Sequence, residues 1–188
     1  MAECEKVETH LHLPVQSGCS DILNRMNRRY TREKYLSLVE YAREKMPDIA
    51  FTSDIIVGFP GETYENFKET LTLIEEVGFS SLYTFIYSPR PGTPAAQYPD
   101  PFTREEKQVW FEELMAKQAE LAEARASAYK NQVMRVLTEG RNKNGKLYGR
   151  AKNNIMVEFD GEDTLIGDFH FIKITDPLAF ILKGQLVE

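Results

Sequence analysis

The chain has 188 residues, of which 42% are hydrophobic and 28% charged, and its formal net charge is -6. This balance excludes disordered, collagen-like and disulfide-scaffold classes and leaves room for one large domain or two small ones. No apolar run approaches the ~20 residues that cross a bilayer, so no membrane partner is expected. The opening Met1-Ala2-Glu3-Cys4-Glu5-Lys6 lacks the basic and then apolar pattern of a secretory signal, which predicts a cytoplasmic protein. Cys4 and Cys19 offer neither a metal-ligand spacing nor a disulfide framework.

In chain order, residues 9–15 alternate Leu11, Leu13 and Val15 with His10, His12 and Pro14, the pattern of a strand. A short helical turn follows at 21–26. Thr31 then caps a helix through Met46, with Tyr35, Leu38, Val39, Ala42 and Met46 on one face. Residues 49–57 form a second strand whose run Ile55-Ile56-Val57 suits burial on both sides, as in a parallel sheet. After the turn Gly58-Phe59-Pro60-Gly61, Thr63 caps a helix with Phe67, Leu71, Ile74 and Val77 inward and Gly78 at its end. Residues 81–87 make a third strand. The loop at 88–101 holds five of the nine prolines, and Thr103 with Glu106 forms a capping box for a long helix ending near Ala128. The order β-α-β-α-β-α predicts three parallel βα units, half of a small barrel.

Beyond Ala128 the hydrophobic period falls from 3.6 to 2. Segments 133–137, 147–150, 155–159, 168–174 and 180–186 read as short strands, with Asn144-Gly145 and Asp160-Gly161 as turns. Five strands in so short a stretch predict a small OB-like or SH3-like β-barrel over 129–188, after an α/β domain over 1–128. Charge divides at the same place. Residues 129–188 carry nine Lys/Arg against eight Asp/Glu, net +1, and the remainder is net -7. Within 130–152, Lys130, Arg135, Arg141, Lys143, Lys146, Arg150 and Lys152 face only Glu139, a local net of +6. Such a patch on an acidic chain suits a polyanion partner, or else a solvated loop that keeps a small domain soluble.

Ligands of parallel α/β folds bind at the carboxyl ends of the strands. Here those ends carry Gln16 and Ser17, Gly58 and Glu62, and Ser88, Arg90 and Thr93. Gly58 permits close backbone approach, and Arg90 between two prolines suits fork-like recognition of an anion. Each loop also has a purely structural reading as a turn. His10 and His12 share a strand face without a third ligand, so no metal is expected and packing or hydrogen bonding is the favoured reading. Asp54 among Ile and Val either lines a polar cavity or makes a structural bond. No nucleophile triad, Walker loop or paired-cysteine site is visible.

Taken together, the loops resemble the radical SAM methylthiotransferase family. The resemblance lies in His12-Leu13-Pro14-Val15-Gln16-Ser17-Gly18 with Met26-Asn27-Arg28-Arg29-Tyr30, in Asp54-Ile55-Ile56-Val57-Gly58-Phe59-Pro60-Gly61-Glu62-Thr63, and in Tyr87-Ser88-Pro89-Arg90-Pro91-Gly92-Thr93-Pro94-Ala95. Arg90-Pro91 is similar to the tRNA-modifying members, and Gly149-Arg150-Ala151-Lys152-Asn153-Asn154 to the core of their RNA-binding TRAM barrel. The resemblance implies the second half of a radical SAM partial barrel followed by a TRAM domain. It implies an enzyme that adds a methylthio group to an N6-prenylated adenosine beside the tRNA anticodon, using S-adenosylmethionine and two [4Fe–4S] clusters. A threonylcarbamoyl-modified adenosine is the alternative substrate, and a tRNA-binding module alone is the alternative for this stretch. The family's cluster-binding cysteines are not found here, so this stretch by itself is expected to be inactive and to hold no cluster stably. Gln16, Ser17, Asp54, Gly58 and Arg90 would line the cofactor and substrate cavity, with no catalytic residue assigned. Arg141, Lys143, Lys146, Arg150 and Lys152 would bind the anticodon stem-loop. An open half-barrel edge near residues 9–15 predicts self-association.

Overall fold

A computed structural model describes residues 1–187. Two compact units are present. One gathers Met1–His10, Asp48–Ala50 and Ala119–Glu188, and the other Leu11–Pro47 and Phe51–Gln118.

The α/β unit is built on a three-stranded sheet, β1 (His10–His12), β2 (Ala50–Val57) and β3 (Ser81–Ile86), in that order across the sheet. β2 and β3 run parallel, with Asp54 opposite Tyr83 and Ile56 opposite Phe85. The first strand is shorter than its alternation suggests. Pro14 has no N–H to give, and pairing resumes only at the isolated bridge between Gln16 and Ile55. Helices α1 (Ser20–Arg25), α2 (Arg32–Lys45), α3 (Tyr64–Val77) and α4 (Arg104–Ser127) follow the expected order. Thr31 caps α2, and Thr63 with Asn66 forms a full capping box on α3. Thr63→Ala is expected to lower stability in urea unfolding by about 1 kcal/mol, the usual worth of a cap.

Phe67, Leu71, Ile74 and Val77 are buried on α3 as their spacing requires. On α2 the inward stripe is rotated from the expected one. Tyr35 and Val39 are buried, but Leu38 is 43% exposed. Two arginines take the inner flank instead: Arg32 donates to Glu69 O and pairs with Glu76 at 2.7 Å, and Arg43 donates to Val77 O. Both satisfy carbonyls or carboxylates of α3 that an apolar side chain could not.

The second unit is a closed five-stranded barrel. Its strands β4 (Val133–Arg141), β5 (Leu147–Ala151), β6 (Met156–Phe159), β7 (Phe169–Pro177) and β8 (Ile181–Leu186) are joined in the ring order β4-β5-β6-β8-β7. All pairs are antiparallel except β6 with β8, which is parallel. The last strand therefore inserts between β6 and β7. Val136, Leu147, Val157, Phe159, Ile172, Ile174 and Leu182 fill the interior, and Ala126 of α4 joins them. Gly145 turns at φ +78°, and the Asn142 carboxamide accepts from the N–H groups of Asn144 and Lys146, both at 3.0 Å. This is the side-chain-mimicked turn that Asn favours.

Candidate functional site

The carboxyl ends of β2 and β3 bring most of the expected cofactor residues together. Gln16 is buried with φ +74°, and its backbone is locked to β2: its N–H donates to Asp54 O and its carbonyl accepts from Ile56 N–H, each at 2.9 Å. Ser17 is fully buried, and its hydroxyl accepts from Cys19 N–H at 3.2 Å and lies 3.4 Å from the Thr70 hydroxyl. The partly exposed Asp54 carboxylate lies 3.5 Å from His12 Nε2. The other ring nitrogen, Nδ1, lies 2.9 Å from Thr52 Oγ1, and Tyr83 packs edge-on against the imidazole at 5.6 Å. His12, Thr52, Asp54 and Tyr83 thus share one sheet face, and Phe85 continues along β3 with 54% exposure. His12 is hydrogen-bonded, as favoured over a metal pair.

Gly58 has φ +72° and donates to Glu62 Oε2 at 2.5 Å. A Cβ at Gly58 would stand 2.5 Å from Lys107 Cδ, so the Lys107 side chain would have to shift in addition to the strain of the positive φ. Glu62 is 1% exposed. Burial pushes its carboxyl up to about 7, against the opposing pull of the Gly58 and Phe59 backbone N–H groups and the Lys107 ammonium. Arg90 is exposed, and its carbonyl holds the turn by accepting from Thr93. Tyr87 opens one of the resembling motifs but is not among the expected site residues. Its ring stacks edge-on against Phe59 at 5.1 Å, yet its buried hydroxyl has no partner among the described residues.

On the barrel, the five expected cations divide. Arg141 is tied to Asp163 at 2.6 Å and to Gly161 O, Lys146 to Asp160 at 2.7 Å, and Arg150 to Glu139 at 3.4 Å and to Asn154. Lys143 and Lys152 are exposed without a carboxylate partner among the described residues. Asp160 and Asp163 thus offset two of the local +6, in which Glu139 is already counted.

The radical SAM superfamily model matches residues 1–74 and the TRAM domain model residues 127–187. The chain thus joins a radical SAM segment to a TRAM domain. It is 44% identical to tRNA-2-methylthio-N(6)-dimethylallyladenosine synthase of Alkaliphilus oremlandii, over 100% of this chain and 40% of that protein. Proteins of the same name from a Thermoanaerobacter strain and from Anoxybacillus flavithermus are 45% and 46% identical, over 100% and 95% of this chain. This radical SAM–TRAM chain therefore spans about 40% of the length of relatives it matches. Among solved structures, coproporphyrinogen III oxidase of Escherichia coli shares the fold with a TM-score of 0.52 at 17% identity, covering 89% of this chain and 41% of that one.

The radical SAM segment implies S-adenosylmethionine and an iron–sulfur cluster. The residues described do not fit the cluster. No group of three or more His, Cys, Asp or Glu side chains among them could hold a metal. Cys4 is exposed, whereas Cys19 is buried and its Sγ accepts from Asn66 at 3.2 Å. Burial, aided by Glu69, pushes the Cys19 thiol up, away from the thiolate that cluster ligation needs. No described helix is long and apolar enough to cross a membrane.

Proposed function

We propose that this chain is the barrel-closing and RNA-binding part of a cytoplasmic tRNA methylthiotransferase. The full protein adds a methylthio group to an N6-prenylated adenosine beside the anticodon. The observation that carries the reading is the 44–46% identity, over nearly the whole chain, to relatives named for that reaction. S-adenosylmethionine supplies the radical chemistry, and two [4Fe–4S] clusters would be held by residues outside this chain. Gln16, Ser17, Asp54, Gly58 and Arg90 are proposed to wall the cofactor and substrate cavity. Gln16 and Gly58 do so through backbone held in left-handed geometry, Asp54 through the carboxylate beside His12, and Arg90 as an exposed guanidinium. Ser17 acts behind them, since its hydroxyl is committed to Cys19 and Thr70.

The test is Arg90→Ala in the protein joined to its upstream coding sequence, read by mass spectrometry of tRNA nucleosides and by cofactor binding. Unchanged modification and unchanged binding would remove Arg90 from the cavity. The chain alone is expected to take up no stoichiometric iron on anaerobic reconstitution, and to bind tRNA in a salt-dependent way. Losing a few phosphate contacts' worth of affinity between about 50 and 200 mM salt would mark that binding as electrostatic.

A second reading, a tRNA-binding module without chemistry of its own, is favoured for this stretch by the lack of fit to a cluster. The sheet face bearing Tyr83 and Phe85, and the strand edges at β1 and β3, also support self-association of the isolated chain. Light scattering at rising concentration should show dimers or larger species. A monomer throughout would refute this.

A further inference from the structure

The outer face of β7, β4 and β5 carries an arrangement that the basic-loop reading does not use. Phe169 and Phe171 alternate on β7 and are 45% and 56% exposed. Arg135 lies directly opposite Phe171, and its guanidinium sits 3.8 Å from the centre of the Phe169 ring. Lys173 continues the same β7 face. In the next row Phe169, Leu137 and Arg150 are successive cross-strand neighbours. Beside them opens a cleft of about 280 Å³ whose walls include Phe169, Leu137, Arg150, Lys152 and His10. Residues 7–10 form its third side, fixed there because Thr9 N–H donates to Lys152 O at 3.1 Å.

Phe171 and the part of Phe169 that Arg135 does not cover present adjacent apolar surface to solvent. Aromatic rings interleaved with Arg and Lys fit single-stranded nucleic acid, because every base has a face to stack and every linkage a phosphate to neutralise. The cleft falls just below the roughly 300–1,000 Å³ typical of drug-sized ligands, which suits one splayed base rather than a larger group. Glu8 and Glu139 in its walls are balanced by Arg150 and Lys152, while Arg135 and Lys173 lie outside it and are left to meet the phosphate backbone.

We propose that this β7–β4–β5 face, and not the Arg141–Lys146 turn, is the barrel's RNA-contacting surface. It stacks unpaired bases on Phe169 and Phe171 and takes one base into the cleft beside Phe169. The proposal rests on the RNA-binding reading above and says where and how that binding occurs. The charges at Arg141 and Lys146 hold turns together and are already paired.

The test uses the 188-residue chain with a short fluorescein-labelled single-stranded RNA and the same RNA carrying 2-aminopurine, whose emission is quenched on stacking. Wild type should bind and quench. Phe169→Ala and Phe171→Ala should each weaken binding about 5- to 150-fold, the range of one lost base stack, and reduce quenching. Phe169→Tyr and Phe171→Tyr should restore both, which separates stacking from folding damage. Arg141→Ala and Lys146→Ala should bind like wild type, and duplex RNA should compete poorly. Ring variants that bind like wild type, or a loss confined to Arg141 and Lys146, would overturn the surface while leaving RNA binding intact. A wild-type chain that binds no RNA would overturn both readings.

Discussion

Gly149→Ala should leave the barrel largely unfolded, seen as loss of its cooperative transition in urea. Gly149 is buried in β5 opposite Thr138, and a Cβ there would stand 2.1 Å from Leu137 O and 2.7 Å from Val136 Cγ1. The first contact is backbone, so no rotamer change relieves it. β4 and β5 would have to part along a ladder that also orders Arg150. Overpacking ordinarily costs about 1–3 kcal/mol, and displacing a strand carbonyl should exceed that range. A small barrel has little to spare. The same substitution at Gly145, where nothing lies within 4 Å of the added Cβ, is the control for glycine loss without a clash. It should cost only the strain of its positive φ. Equal costs at the two positions would refute the steric account.

The second large effect is a pH dependence set by Glu62. Its carboxyl is raised from about 4.5 to about 7 in the folded chain. Between these values the folded state holds a proton that the unfolded state has released. The stability this provides is therefore complete below about pH 4.5 and disappears as pH rises through about 7. Burial of the group makes the loss on the order of 3 kcal/mol. Glu62→Gln keeps an acceptor for Gly58 N–H and removes the titration, so its stability should stay flat between pH 5 and 8 where wild type declines. Lys107 is not stranded by this change, because it also pairs with Asp100. A wild-type profile as flat as the variant's would mean that Glu62 stays ionised through the range.

The order of elements was legible because local rules set it. Thr31, Thr63 and the Thr103–Glu106 pair mark three helix starts, and the change of period after Ala128 marks the barrel. The turns at the strand ends were legible in part: Gly58 supplies the positive φ that its turn needs, whereas the positive φ of Gln16 has no such residue to announce it. The fate of the basic patch was not legible. Asp160 and Asp163 lie 14 and 22 residues from the cations they neutralise, and only the closed ring brings them together. A window of sequence counts charge, whereas a barrel pairs it. Phe169 and Phe171 were read as strand formers, which they are, and the alternation Phe-His-Phe-Ile-Lys did put both rings on one face. Which face was outward depended on Ile172 and Ile174 filling the interior. Residues 1–10 are grouped with the barrel through Thr9 and Lys152, a partnership 143 residues apart that no periodicity could announce.

The parallel seam between β6 and β8 sets an order of events during translation. β4 through β7 can emerge and pair as neighbours, but the ring has a gap until residues 181–186 slide between β6 and β7. Such a closing step depends on long-range contacts and is slow relative to hairpin formation. Until β8 is in place, β6 and β7 each offer an unpaired edge to any neighbouring chain. A released chain ending before Ile181 should therefore recruit chaperones or aggregate, and restoring residues 181–186 should end that exposure.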